Sequence, residues 1–312
     1  MCGIVGYIGG QNATPIILNG LRRLEYRGYD SAGIAVIEAG QIQVRREAGK
    51  LGRLAALVEA QPLQGPVGVG HTRWATHGEP SARNAHPHLG GTGTVVLVHN
   101  GIVENYLELR AELAAAGVQF NSDTDTEVIV HLIERFLAGG GDLEEAVRQA
   151  LLQIRGAHGV VVLSALEPDK MIAARIGNAG GVVIGRGEDE NFIASDIPAI
   201  LDHTRRMMFL ESHQMAVVTR AAVTVKTLAG RPVTLEEHQI GWDLVSAEKG
   251  EYRHFMQKEI HEQVRSLTDT LAGRVDFDAG EIRLPELNLL PELARRIRKI
   301  VITACGTAAH AG

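Results

Sequence analysis

Between Gly159 and Leu228 the chain is a succession of short apolar runs, GVVVLSAL, KMIAARIG, GVVIGR, NFIASD, RMMFLE, MAVVTR and AVTVKTL, each closed by turn residues. Runs of this length, rich in Val and Ile, read as β-strands. Ahead of them, helical spacing covers Tyr106 to Ala115, Thr126 to Leu137 and Leu143 to Ile154, with Gly139-Gly140-Gly141 separating the last two. Strands and helices that come partly in blocks predict a layered α+β fold rather than a strict βαβ alternation.

The N-terminal part is mixed. Cys2 to Ile8 reads as a strand, and Ile17, Leu21 and Leu24 recur at helical spacing, with Thr14 and Pro15 placed as N-cap and first helical residue. Ile34 to Glu38 and Gln41 to Glu47, joined by Ala39-Gly40, predict a hairpin, although Ala-Gly is a weaker turn signal than Asn-Gly. Val67 to Arg73 and Thr94 to Asn100 read as buried strands around the polar loop Trp74 to Gly93, which is too long to be a simple connection. Beyond Pro232 the sequence turns polar and non-periodic and reads as a linker. A helix follows from His254 to Leu271, then a helix over Leu293 to Arg298, a strand over Ile300 to Ala304, a turn at Cys305-Gly306-Thr307 and the start of another helix.

With 312 residues, 45% hydrophobic and 22% charged, the composition is that of a globular chain of about two domains. A net charge of -6 argues against nucleic acid or an anionic membrane surface as partner, while leaving room for a local anion site. No apolar run approaches the roughly 18 residues of a membrane span, and no signal-peptide pattern opens the chain. Cys2 and Cys305 are the only cysteines, so neither a disulfide framework nor a cysteine zinc site can be assembled, and a reducing, cytoplasmic setting fits. Thirty-six glycines beside 4% aromatics point to many tight turns, and to function carried by loops.

By position alone Cys2 is a small apolar residue opening a strand. Once the initiator methionine is removed, it also holds a thiol and a free α-amine, nucleophile and base in one residue, since an α-amine titrates near pH ~7.7 to 8.0. The opening MCGIVGYIG, RGYDSAGIAV (Arg27 to Val36), HTRWATHGEPS (His71 to Ser81), NAHPH (Asn84 to His88), VHNGIVEN (Val98 to Asn105) and SDTDTE (Ser122 to Glu127) together, in this order, resemble the glutaminase half of the glutamine:fructose-6-phosphate aminotransferase family. The likeness covers about residues 2 to 240. YRHFMQKEIHEQ (Tyr252 to Gln263) and ITACGTA (Ile302 to Ala308) resemble the linker and the start of that family's sugar isomerase half.

The resemblance implies a four-layer α/β/β/α sandwich of the N-terminal-nucleophile, class II glutamine amidotransferase type over residues 1–240. A linker and the truncated start of an α/β sugar isomerase domain would then occupy residues 241–312. It implies hydrolysis of L-glutamine through a thioester on Cys2, with Asn100 and Gly101 as the oxyanion donors. Arg73 would hold the substrate carboxylate, Asp125 its ammonium group, and Trp74, Thr76 and His77 would belong to a loop that closes over it. Cys305, Gly306 and Thr307 would begin an incomplete sugar-phosphate site. Fructose 6-phosphate would be the acceptor only with the missing domain, and the complete enzyme would dimerise through its isomerase half. The scheme needs no cofactor and no metal.

Several of these residues also have a plainer reading: Asp125 as a helix cap, Asn100-Gly101 as an ordinary turn, Trp74 as a hydrophobic anchor, Cys305-Gly306-Thr307 as a bare strand-to-helix turn. His71, His77, His86, His88 and His99 cluster in sequence but show no carboxylate spacing of a metal site, and read as structural. Two departures from the family pattern stand out: ARIGNAGGVVIG lacks the usual Gly-Ser-Pro-Leu, and Val264 follows Gln263 where Pro is common. The competing functions are a stand-alone amidotransferase subunit with another acceptor, and a non-catalytic glutamine-binding module that keeps Met1.

Overall fold

A computed structural model describes residues 2–241, 252, 255–276, 279–282, 291–304 and 307–312. The chain divides into two units, residues 1–248 and 249–312. The first unit opens with β1 (Gly3–Ile8), α1 (Ala13–Arg23), β2 (Ser31–Glu38), β3 (Gln41–Ala48), α2 (Leu51–Ala60), β4 (Val67–Arg73), β5 (His88–Leu89) and β6 (Val95–Gly101). Three helices follow, α3 (Tyr106–Ala115), α4 (Glu127–Ala138) and α5 (Leu143–Gln153). The predicted β-rich block then supplies β7 (His158–Ser164), β8 (Lys170–Ile176), β9 (Val183–Arg186), β10 (Asn191–Ala194), β11 (Arg206–Phe209), β12 (Gln214–Thr219) and β13 (Val223–Thr227), with β14 (Pro232–Val233) and β15 (His238–Gln239) after it.

These strands make two antiparallel sheets, of eight strands in the order β15-β11-β9-β10-β1-β4-β2-β3 and of seven in the order β14-β13-β12-β8-β7-β6-β5. Alternation along each strand sends neighbouring side chains to opposite faces. On β1, Ile4 and Ile8 enter the space between the sheets with Val69, Val161 and Met171, whereas Val5 and Tyr7 pack with Ile17 and Leu21 of α1 and Leu54 of α2. On β6, Val96 and Val98 face the same inter-sheet space, and Val95 and Leu97 pack with Val128 and Leu132 of α4 and Val147 of α5. Three cores therefore separate four layers, α1/α2, sheet, sheet, α3/α4/α5. Leu21 is fully buried, so its truncation to Ala costs about 2–5 kcal/mol.

Register positions what matters later. In the first sheet Gly3 lies opposite Thr72 and Ser31 opposite Arg73, which sets Cys2 beside the end of β4 and the loop that leaves it. In the second sheet Asn100 lies opposite Gly159 and Gly101 opposite His158.

Several local expectations need correction. The N-cap of α1 is Asn12, whose side chain accepts from the Thr14 amide at 3.2 Å, while the Thr14 hydroxyl donates to the Leu63 carbonyl at 2.9 Å. Thr14 is thus already inside the helix, with its oxygen committed elsewhere. Residues 232–240 are not merely linker, because β14 pairs with β13 and β15 with β11 at the ends of the two sheets. Strands of two residues carry no readable period, and Pro232 is tolerated because it sits on an edge.

The second unit contains α6 (Phe255–Leu271), a hairpin of β16 (Val275–Asp276) and β17 (Glu281–Ile282), α7 (Pro291–Ala294) and α8 (Thr307–Ala311). The helix predicted over Leu293 to Arg298 is this one turn, α7. The strand predicted over Ile300 to Ala304 is not formed. Ile300, Val301 and Ile302 are 75%, 70% and 61% exposed, and among the described residues of this unit the only sheet is the hairpin, which leaves an apolar strand nothing to pair with. Cys305 and Gly306 lie outside the described residues, and Thr307 opens α8. Among the described residues no helix is long and apolar enough to cross a membrane.

Candidate active site

A cavity of about 410 Å³ opens where the ends of β1, β4 and β6 meet, lined among others by Cys2, Arg73, Trp74, Thr76, Asn100, Gly101 and Asp125. Cys2 immediately precedes β1. Its Sγ accepts from the Trp74 amide at 3.2 Å and its S–H faces the Trp74 carbonyl at 3.6 Å. Burial pushes the thiol up from its usual range, opposed by the Trp74 amide and by the positive charge of Arg73. The Cys2 carbonyl accepts two bonds, from Asn100 Nδ2 and from Arg27 Nε, both at 3.2 Å. Arg27 is fixed in turn by Asp196 at 2.7 Å.

Asn100 and Gly101 close β6. Gly101 has φ +139°, and a Cβ there would lie 2.2 Å from the Ala157 carbonyl oxygen. No other residue fits without moving the backbone. This requirement, rather than a hairpin turn, accounts for the Asn-Gly pair.

Arg73 ends β4, and its guanidinium gathers the carbonyls of His77, Gly78 (3.2 Å) and Glu79 (3.3 Å), which curls the following loop around it. Asp30 accepts from the Ala75 amide and holds the same loop from the other side. Trp74 is half exposed and packs edge-on against Tyr29 at 5.4 Å, so its ring is not a core anchor. Thr76 lines the cavity. His77 stands behind that lining, its Nδ1 3.7 Å from Asp125 Oδ1 and its ring against Tyr106.

Asp125 is not a helix cap. Its carboxylate accepts from the Val103 amide at 2.7 Å, and α4 begins without a side-chain cap at Thr126. Burial pushes its carboxyl up, opposed by the Val103 amide and by His77. The turn that carries it is anchored by Glu127, which takes the amides of Asn121 and Ser122 and the Ser122 hydroxyl, each at 2.7 Å. Despite burial, these bonds and His131 hold the Glu127 carboxyl down at about 2. Asp123 pairs instead with Arg83.

Four of the clustered histidines are buried and hydrogen-bonded. Thr126 Oγ1 joins His86 Nε2 at 3.1 Å to His99 Nδ1 at 2.8 Å, His99 Nε2 meets His158 Nδ1 at 3.0 Å, and His88 Nε2 meets Thr124 Oγ1 at 3.1 Å. His71 Nε2 lies 3.1 Å from Asn100 Oδ1. Burial keeps these rings neutral, with His71 and His88 held at about 3 and His86 and His99 well below the usual range. Among the described residues no cluster of His, Cys, Asp or Glu is arranged to hold a metal ion. The sequence did not single out Arg27 or Asp30, though both sit in the quoted RGYDSAG run. Nor did it single out Asn178 and Ala179, which line the cavity from the loop that departs from the family pattern.

Residues 71–202, which include the end of β4 from His71 to Arg73, the loop after it, β6 and Asp125, match the family profile described as "Glutamine amidotransferase domain". The chain carries a glutamine amidotransferase domain. Around that domain the likeness extends over all 312 residues, at 51% identity, to the glutamine--fructose-6-phosphate aminotransferase [isomerizing] of Symbiobacterium thermophilum, covering 51% of that protein. A Thermus thermophilus protein of the same name is 50% identical over 312 residues, with 50% of it covered. The chain spans about half the length of the curated relatives it matches. Among solved structures, the glutamine phosphoribosylpyrophosphate amidotransferase of B. subtilis, complexed with ADP and GMP, superposes with a TM-score of 0.64 at 25% identity over 73% of this chain and 49% of that one. The four layers of the amidotransferase domain are those of the N-terminal-nucleophile amidotransferases.

Proposed function

We propose that the amidotransferase domain hydrolyses L-glutamine through a covalent thioester on Cys2. With Met1 removed, the α-amine of Cys2 takes the thiol proton, and the sulfur attacks the side-chain amide carbon of glutamine. The oxyanion that forms is met by Asn100 Nδ2–H and the Gly101 N–H, donors of the kind whose individual loss costs about 10²–10³ in kcat. The amide nitrogen leaves as ammonia, carrying a proton from the α-amine, and water then releases glutamate from the thioester. Arg73 pairs with the α-carboxylate of the substrate and Asp125 with its ammonium group, while Trp74, Thr76 and His77 belong to the loop that covers it.

The observation that carries this reading is the convergence, on one 410 Å³ cavity, of a thiol, an amide and glycine pair, a guanidinium and a carboxylate. These are the groups that a zwitterionic amide substrate and its tetrahedral intermediate need. By resemblance to the longer relatives, the ammonia goes to fructose 6-phosphate to give glucosamine 6-phosphate. Residues from about 241 onward form the start of a sugar isomerase domain, with Cys305, Gly306 and Thr307 at its phosphate-binding turn and a homodimer formed through that domain.

The test is to incubate the purified chain with glutamine and to measure glutamate, ammonia and hexosamine phosphate separately, with and without fructose 6-phosphate. Equal glutamate and ammonia, abolished by Cys2→Ala, is the expected result. Hexosamine phosphate alongside them would assign transfer to these 312 residues. Glutamate release that survives Cys2→Ala would overturn the thioester.

A further inference from the structure

We infer that His71 is a positioning residue for Asn100, its Nε2–H holding the carboxamide in the one orientation that turns the NH2 group toward Cys2. The inference rests on the oxyanion role proposed for Asn100, and deepens it. A carboxamide is nearly symmetric in shape, so its oxygen and nitrogen can exchange places by a half-turn unless their neighbours forbid it. Here one side of Asn100 faces the carbonyl of Cys2 at 3.2 Å, which only accepts, so that side is the nitrogen. The other side is then the oxygen, which only accepts, and the group facing it at 3.1 Å is His71 Nε2. The imidazole must therefore carry its proton on that nitrogen.

Burial makes this pairing consequential. Asn100 is 4% exposed and His71 is 0% exposed, so water cannot replace a lost donor at Oδ1. The ring is itself packed against His86, with centroids 4.2 Å apart and the two planes tilted by 40°, and His86 is tied through Thr126 to the turn that carries Asp125. His71 belongs to β4 and Asn100 to β6, so the bond also crosses from one sheet to the other at the rim of the cavity. His71 is not among the residues lining the cavity, and its contribution to the reaction passes through Asn100 alone.

The experiment compares glutamine hydrolysis by the wild-type chain, His71→Phe, His71→Gln, Asn100→Ala and the double variant His71→Phe/Asn100→Ala. His71→Phe keeps a ring and removes the donor, and is expected to lower kcat about thirtyfold, less than the 10²–10³ of a whole oxyanion donor, with KM within about twofold. His71→Gln returns an N–H near the position of Nε2 and is expected to recover most of that loss. In the Asn100→Ala background, His71→Phe should cost nothing further, because the two act as one unit. Should the Phe variant fail to fold, His71→Asn, which fits but ends short of Oδ1, takes its place in the same cycle. Wild-type kcat in a folded donor-less variant, no recovery with Gln, or losses that multiply in the double variant would each overturn the inference. If the wild-type chain itself releases no glutamate, it is the hydrolytic reading that fails, and the two outcomes are distinct.

Discussion

The backbone amide of Trp74 lies 3.2 Å from the sulfur of Cys2, across 72 residues of sequence. The pairing of Gly3 with Thr72 brings them together, and the N–H favours the thiolate where burial opposes it. That amide is held in place by the residue before it. Arg73 draws the carbonyls of His77, Gly78 and Glu79 around its guanidinium, so the loop leaving the thiol is fixed at both ends.

Arg73→Lys should therefore hurt although it keeps the charge, because an ammonium cannot span three carbonyls and a substrate carboxylate with one planar fork. The expected fall in kcat/KM for glutamine is about tenfold to hundredfold, the worth of one charge-assisted bond at roughly 1.5–3 kcal/mol. Steady-state kinetics at saturating and limiting glutamine measure it. Unchanged kcat/KM would remove Arg73 from the substrate site.

Gly101→Ala is expected to abolish activity and to lower stability by about 2 kcal/mol or more, as strained backbone and a steric clash combine. The added Cβ would lie 2.2 Å from the Ala157 carbonyl oxygen and 2.8 Å from His99 Nε2, so β6 has to shift away from β7. Urea unfolding and a glutaminase assay on the same sample read both effects.

Much of this fold is legible in the sequence because period and burial agree. The helices α3, α4 and α5 and the strands from β7 to β13 fall where spacing predicts them. What was not legible depends on distant partners: the edge strands β14 and β15, the missing strand at 300–304, and the N-cap at Asn12, where the Thr14 hydroxyl is taken by Leu63. At the candidate site, the motifs mark Cys2, Arg73, Asn100, Gly101 and Asp125, which line one cavity. The bonds of Arg27 to Cys2 and of His71 to Asn100 join segments 25 and 29 residues apart, and no local pattern announces them.

The hairpin between β2 and β3 offers a prediction of the opposite sign. Ala39 and Gly40 have φ of 48° and 76°, a mirror-image turn in which Ala carries a left-handed backbone. Ala39→Asn should raise stability by about 1 kcal/mol by relieving that penalty, without touching activity. An unchanged urea midpoint would mean that the turn is not strained.

The buried imidazoles predict acid sensitivity. Burial holds His71 and His88 at about 3 and His158 at about 4, and His86 and His99 well below the usual range, whereas unfolded histidine titrates near ~6.5. The folded pKa lies below the unfolded one, so below pH ~6.5 the unfolded chain binds more protons and stability falls as pH falls. Each such histidine costs about 1 kcal/mol between pH ~6.5 and ~5.5. His131 runs the other way. Burial lowers its pKa, but Glu127 and Glu134 raise it to about 9, so its contribution is present below pH ~6.5 and fades as pH rises through 9. Urea midpoints measured from pH ~9 down to ~5 should fall steeply below ~6.5. A flat profile there would mean that these rings take up protons inside the fold.

The most direct measurement is mass spectrometry of the chain quenched in acid during turnover of glutamine. The account predicts an intact chain lacking Met1, a fraction of it heavier by one glutamyl group, with the addition mapped by digestion to the peptide that begins at Cys2 and absent from Cys2→Ala. Glutamate formed at full rate by a chain that retains Met1, or a glutamyl group mapped to any other residue, would contradict it.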